Sequence, residues 1–543
     1  MPNVAEFLIE RIENTGIKHI FGVPGDYAID LVSRVATESK KLEFVNTTDE
    51  AHAGFAADAY GRVHGIGCVM VTYNVGALKI ANAVACAFAE RSPLIVISGS
   101  PGMKERKEGL LLHHMVGAFE SQKEVFKHWT CDQAVLDSPL TAGYKIDKVL
   151  ESLFWYKRPV YIELPRDVAK QSPSYDVYRH GTPEAPKSDE ISLEECLEEV
   201  IAWIENSSNP VILAGVELAR FGLGKDLAKF AEATNIPVAT TLLSKSVINE
   251  TQPYFAGVYA GAASREYTRK LVDDSDCLIM LGVMLTDVSL AFKPATFQKR
   301  QTINATVEEI NVKSHSYKNI RFDDFCKALL GYRPKPRTAL NMPRYTRQGF
   351  KPERNKKLTT ARFFSKVNSI LDSNMAVCVD VGDAMFGAAD LTMHHSNQFL
   401  GDAFYTSMGF SIPAALGVQT AMPDLRPVVI VGDGAFQMCH SEISTIAKRG
   451  YNPIIFVMNN GGYATERFLV DGPFNDVANW EYHKVGEVFG NCTGEKVQTE
   501  EELDGAISRA LVSKCPYIIN VILGSRDVSE SLARMVRGLA ERV

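Results

Sequence analysis

The chain has 543 residues, 46% hydrophobic and 23% charged, the balance of a globular protein that can bury several cores without disulfide or metal staples. Its 58 lysines and arginines against 65 aspartates and glutamates give a formal charge of −7, which argues against sequence-independent nucleic-acid binding. No apolar run reaches the roughly 18 residues of a membrane span, the ten cysteines include no CxxC pair, and Glu6, Glu10 and Glu13 fall where a signal peptide needs an apolar core, so a cytoplasmic protein without a membrane partner is expected.

The first predicted element is an amphipathic helix from Val4, with Phe7, Leu8 and Ile12 on the same face. An apolar strand and a glycine turn follow, VAEFLIERIENTGIKHIFGVPG, and Asp26 lies on the loop after that strand. From Leu42, LEFVNTTDEAHAGFAADAYGR runs from strand into helix with Glu50 at the helix start. LLLHHMVG puts His113 and His114 on a loop. Residues 171–190 are polar and carry Pro173, Pro183 and Pro186, which reads as a linker. The helix–strand–glycine pattern returns from Leu193 and again from Ala361, separated by a proline-rich, basic connector over 333–357 that reads as solvated chain. Three such openings predict three α/β domains, each a doubly wound parallel sheet, at 1–172, 190–332 and 358–543.

The most informative stretch is RPVVIVGDGAFQMCHSEISTIAKRGYNPIIFVMNNGGYATER, Arg426 to Arg467. Val428–Val431 read as a buried strand, Gly432-Asp433-Gly434 as a tight turn, 436–448 as helix, and Ile454–Met458 as the next strand, ending in Asn459-Asn460. A βαβ crossover makes the two strands parallel and brings Asp433 and Asn460 to one sheet edge, where open α/β sheets take ligands. A carboxylate and an amide oxygen suit a hard cation such as Mg2+. Gly434 admits close backbone approach, and the helix start near Ala435 and Phe436 offers free N–H groups to a phosphate. The expected ligand is a metal-bound diphosphate.

GDG-x24-NN in this context resembles the thiamine diphosphate signature of thiamine-dependent enzymes, and the Glu50 segment resembles the activating-glutamate segment of their pyrimidine-binding domains. Singly, Asp26, the histidine pair and Glu466 read as ordinary polar residues. Jointly, GDY at Asp26, the twin histidine and GYATE at Glu466 resemble the pyruvate and indolepyruvate decarboxylase group of 2-oxoacid decarboxylases, as do VYIELP up to Pro165 and SMGFSIPAALG from Ser407. The resemblance implies a pyrimidine domain, a Rossmann-like middle domain and a diphosphate domain, and a homodimer or homotetramer with the site between subunits. It implies that Glu50 activates the cofactor and that Asp26, His113, His114 and Glu466 carry proton transfers, with the carboxylates partly protonated by burial and mutual repulsion. It assigns Gly432, Gly434, Ala435, Phe436, Thr406, Met408, Asn460 and Tyr463 to the cofactor, Met408 forcing its two rings into a V and Thr406 supplying a backbone acceptor where glycine is usual. Asp433, Asn460 and Gly462 are assigned to the metal.

Val288, Met385, Phe386 and Thr465 are implied as the substrate pocket. Val288 and Met385 stand where pyruvate-selective members carry bulkier aromatics, so branched or aromatic 2-oxoacids are expected. The nearest alternative is a thiamine-dependent carboligase of the acetolactate synthase kind, which lacks the twin histidine and the GYxxE glutamate. A dinucleotide-binding dehydrogenase is disfavoured because no GxGxxG opens a predicted helix after a strand.

Overall fold

A strand that turns at its carboxyl end into a helix packed back on the sheet is the repeating unit throughout. The computed structural model describes residues 2–173, 186–291, 297, 301–343 and 349–540, with the backbone alone for 537–540. Of the two expected connectors, residues 174–185 and 344–348 lie outside the described residues. Two compact units form, Met1–Pro186 with Pro413–Pro423, and Lys187–Ile412 with Asp424–Val543.

In the first unit the helix Val4–Asn14 begins at a reciprocal cap: Asn3 Oδ1 accepts from the Glu6 N–H, and the Glu6 carboxylate accepts from the Asn3 N–H. Val4, Phe7, Leu8 and Ile12 are all buried, as their spacing predicts. Strands β1 (His19–Gly22), β2 (Glu43–Asn46), β3 (Gly67–Val71), β4 (Leu94–Ser100), β5 (Asp132–Val135) and β6 (Val160–Pro165) lie in the order β2-β1-β3-β4-β6-β5, all parallel. The helix Glu50–His64 follows β2, and its N-cap Asp49 accepts from the Ala51 N–H at 2.8 Å. Residues 413–423 join this unit through Gly417: a Cβ there would stand 2.1 Å from the Ala56 carbonyl oxygen, so only glycine permits the approach.

The second unit holds two sheets. Strands β7 (Pro210–Ala214), β8 (Val238–Thr240), β9 (Phe255–Val258), β10 (Cys277–Leu281), β11 (Thr302–Ala305), β12 (Ile310–Val312) and β13 (His315–Tyr317) run in the order β13-β12-β11-β10-β7-β8-β9. Five of them are parallel in the Rossmann-like arrangement expected, but β12 and β13 pair antiparallel. The cause is connection length: the short turns 306–309 and 313–314 leave no room for a crossover helix. The described residues of the basic connector are mostly exposed, as expected, although Arg337 caps the helix Glu190–Asn206 by donating to the carbonyls of Ile204 (2.5 Å) and Ser207 (2.8 Å).

The last sheet comprises β14 (Met375–Val379), β15 (Phe399–Leu400), β16 (Arg426–Gly432), β17 (Ile454–Asn459), β18 (Thr493–Val497) and β19 (Tyr517–Ile522), ordered β15-β14-β16-β17-β19-β18 and all parallel. Relabelled from its own first strand, this is the order of the N-terminal sheet. The helix expected over 436–448 starts at Asp433 and is broken by a tighter turn at His440–Glu442, because Cys439 leaves helical dihedrals (φ −132°). Among the described residues no helix is long and apolar enough to cross a membrane.

A buried ion pair ties the loop after β8 to the segment before β15. Lys245 Nζ donates to both Glu250 oxygens (2.9 and 2.8 Å) and to the Leu391 carbonyl, and Glu250 accepts from the Met393 N–H. Glu250→Ala would leave the Lys245 ammonium inside without a counter-charge, an expected loss of about 3–5 kcal/mol. Denaturant unfolding checks this, and a loss below about 1 kcal/mol, the weight of an exposed pair, would mean that Lys245 reaches water.

Candidate functional site

The strand order of the last sheet reverses between β14 and β16, and a cavity of about 450 Å³ opens at their carboxyl ends. Its wall includes Gly382 and Asp383 from after β14, Gly432 to Ala435 from the end of β16, and Asn460, Gly462 and Tyr463 from after β17. Gly432 is in register with Met458 on the neighbouring strand, so Asp433 and Asn460 leave the sheet at the same edge.

Asp433 is 2% exposed. Its Oδ1 accepts from the Gly434 N–H (2.8 Å) and its Oδ2 from the N–H groups of Gly461 (2.7 Å) and Gly462 (3.1 Å). These bonds favour the charge but do not outweigh burial, which pushes the carboxyl up to about 6. Among the described residues burial and backbone N–H groups act on it, and no lysine or arginine does. A carboxylate with lone pairs to spare and no described cation beside it suits a bound divalent ion, and Asn460 stands in the same wall. Two glycines clear the space. A Cβ on Gly434 would lie 2.5 Å from the Tyr463 ring, and one on Gly462 (φ +151°) 2.0 Å from the Asn475 carbonyl oxygen.

Thr406 and Met408 also line the cavity. Thr406 has φ 56°, the left-handed conformation that explains why glycine suits the position. Asp402 holds it there: its carbonyl accepts from the Thr406 N–H (3.0 Å) and its carboxylate from the Ser407 N–H (2.6 Å). Beyond Met408 the chain is tied to Asp380 at the end of β14, which accepts from the N–H groups of Gly409 and Ser411 (3.0 Å each) and from the Ser411 hydroxyl (2.8 Å). Burial raises the Asp380 carboxyl despite these bonds.

Of the residues expected around the substrate, Val288, Phe386 and Thr465 line the cavity, and so does Glu466 in the first turn of the helix Ala464–Leu469. Met385 does not. It is wholly buried in the core that contains Leu532 and Met535, because the helix Asp383–Ala388 turns this position inward. Phe436 is likewise buried, its ring edge-on to Tyr482, so any contact with a ligand is through its backbone. Sequence reasoning missed Asp287 and Asp383 in the cavity wall and Asp380 behind it. The signal for Asp380 and Asp383 was VDVGD, two acids at a strand's carboxyl end; Asp287 had none.

In the N-terminal unit Asp26, His113 and His114 meet. His113 Nε2 donates to Asp26 Oδ2 at 2.5 Å, the direction an ionised carboxylate requires, and His114 Nδ1 lies 3.9 Å from Asp26 Oδ1. The Tyr27 ring stacks on His113 at 4.7 Å, and the Asn74 amide holds the His114 carbonyl at 2.6 Å. Burial raises the Asp26 carboxyl, but the bond to His113 and the charges of both histidines outweigh it, so its pKa is lowered. Within this chain Asp26 is therefore held ionised by the imidazoles rather than partly protonated as expected. Glu50 heads its helix and accepts from Lys79 Nζ at 2.7 Å, a partner the sequence did not suggest.

The family model described as thiamine pyrophosphate enzyme, N-terminal TPP binding domain, matches residues 2–126. The corresponding central domain matches 197–326 and the C-terminal TPP binding domain 380–521. The chain is 32% identical to an indole-3-pyruvate decarboxylase of Azospirillum brasilense over 98% of both chains. It is 31% identical to an alpha-keto-acid decarboxylase of Mycolicibacterium paratuberculosis over 98% of this chain and 96% of the relative. A Mycobacterium tuberculosis protein of the same description is 30% identical over 99% and 97%.

The raised Asp433 carboxyl gives a pH test. A group whose folded pKa lies above its unfolded value of 3.8 favours folding at low pH and loses that contribution as pH rises through about 6. A cation on Asp433 relieves the resulting charge, so Mg2+ should raise the melting temperature more at pH 7 than at pH 5. Equal rises would remove Asp433 from the ligand set.

Proposed function

The chain belongs to the thiamine pyrophosphate enzymes, and from that membership we propose that it catalyses the non-oxidative decarboxylation of a 2-oxoacid to an aldehyde and CO2, with thiamine diphosphate and Mg2+. The observation that carries the reading is the Asp26–His113 pair at 2.5 Å beside His114, on a chain whose relatives, matched end to end, are named decarboxylases. In this reading 1–172 is the pyrimidine-binding domain, 190–332 the middle domain and 358–543 the diphosphate-binding domain. The protein works as a homodimer or homotetramer in the cytoplasm, on a small-molecule substrate without nucleic acid.

When bound, thiamine diphosphate supplies the electron sink for loss of CO2. The residues around the cavity fit that group: among the described residues no cation meets Asp433, and Gly434 and Gly462 carry no side chain. Asp433, Asn460 and the Gly462 carbonyl would hold Mg2+, the backbone at Gly432, Gly434, Ala435 and Phe436 the diphosphate, and Thr406, Met408 and Tyr463 the rest of the cofactor. Glu50 would hold a proton for the pyrimidine ring, with Lys79 as its partner in the free protein. Asp26, kept ionised, orients His113 by accepting from Nε2, so the transferable protons of this cluster sit on the imidazoles. Glu466 would serve as the proton-carrying carboxylate on the diphosphate side. With Met385 buried, Val288, Phe386 and Thr465 are left to bound the substrate, and the small Val288 supports a preference for branched or aromatic 2-oxoacids.

Incubation with pyruvate, 2-oxoisovalerate, phenylpyruvate and indolepyruvate in the presence of thiamine diphosphate and Mg2+ tests this. Free aldehyde and CO2 in equal amounts are expected, fastest from the bulkier acids; acetolactate without free aldehyde would mean a carboligase. Glu50→Gln should lower kcat by about two to four orders of magnitude, and undiminished turnover would refute its role. Val288→Phe should lower kcat/KM for phenylpyruvate relative to pyruvate by about tenfold or more, and an unchanged ratio would take Val288 out of the substrate pocket.

A further inference from the structure

One buried acid in the cavity wall has no part in the chemistry above. Asp383 is 7% exposed, opens the helix Asp383–Ala388, and follows Gly382, where an added Cβ would lie 3.8 Å from Thr465 Oγ1. Its carboxylate is taken up by one residue, Ser529: Oδ1 accepts from the Ser529 hydroxyl at 2.5 Å, and Oδ2 from the Ser529 N–H at 3.0 Å. Ser529 is itself buried, and its Oγ accepts in turn from the Leu532 N–H at 3.1 Å, in the first turn of the helix Glu530–Ala540. That helix packs on both the helix of Asp383 and the helix Ala464–Leu469, which carries Thr465 and Glu466.

We propose that Asp383 is a positioning residue for the reaction: by clamping Ser529 it fixes the start of the C-terminal helix, and through that helix the Thr465–Glu466 turn at the cavity wall. The proposal rests on the reading of this cavity as the cofactor and substrate site. The helix also has independent anchors. Arg534 donates to Asp390 (2.9 Å) and to the Ala263 carbonyl (3.0 Å), and Leu532 and Met535 are buried in the core. Just before Ser529, Asp527 also accepts from the Thr360 N–H (2.7 Å), so loss of the Asp383 clamp loosens the helix start without undocking the rest. Displacing a proton-carrying group by even an ångström is enough to cost turnover.

The test uses the full chain loaded with thiamine diphosphate and Mg2+, with 2-oxoisovalerate as substrate. Asp383→Ala should lose about 10- to 100-fold in kcat with KM within about threefold, and amide exchange over residues 529–536 should rise. Asp383→Asn, whose amide oxygen still accepts the Ser529 N–H, should keep kcat within about threefold and exchange near wild type. Wild-type kcat in Asp383→Ala, or a raised KM at unchanged kcat, would overturn the proposal. If Asp383→Ala does not fold, Ser529→Ala decides: a kcat loss with raised exchange supports the clamp, and wild-type values in both overturn it. A wild-type protein that releases no aldehyde from any 2-oxoacid would instead bring down the decarboxylase reading, while the exchange comparison would still decide whether Asp383 holds the helix.

Discussion

A carboxylate forced into the edge of a parallel sheet, with no cation among the described residues to meet it, sets the terms for the rest of the molecule. Asp433 is placed there by β16 and held by three backbone amides, two of them from the turn that leaves β17. Those amides can converge only because β16 and β17 are parallel neighbours in register, and the turn can close only because position 462 has no side chain. The geometry leaves a charge to be neutralised and a bare backbone beside it, the two requirements of a metal-bound anion.

The N-terminal and C-terminal sheets share one strand order and set their polar side chains at the same topological place. Asp26 follows the first strand of one, and Asp380 and Asp383 follow the first strand of the other, each next to the point where the order reverses. The middle sheet has its own reversal, between β7 and β10, but there the chain fills the gap. A Cβ on Gly215 would stand 1.9 Å from the Gly282 carbonyl oxygen, and Glu217 turns back to accept the Val307 N–H at 2.9 Å. Three sheets of related architecture thus present two polar edges and one closed edge, and the difference lies in a few residues after the strands.

Environment decides what otherwise similar acids do. Asp26 meets imidazoles and is held ionised, whereas Asp433 meets backbone dipoles and burial raises it. Asp383 meets a serine hydroxyl and amide, and burial, with the charge of Asp527 nearby, pushes it up to about 6. An acid at a strand's carboxyl end therefore has no fixed role; the groups brought to it by other elements assign one.

Local rules acting over short stretches were legible in the sequence. Apolar spacing gave the N-terminal helix and its buried face, strand–helix–strand punctuation gave the parallel pairing of β16 with β17, and the GDG and NN motifs marked one sheet edge. What lay beyond reach was set by contacts between distant segments: the inward turn of Met385 against Leu532 and Met535, and the Ser529 clamp on Asp383. Period and motif are properties of a dozen or so consecutive residues and survive in the sequence as pattern. Which side chain fills a core, and which charge meets which donor, depends on how residues more than a hundred positions apart close-pack, and only the folded chain decides that.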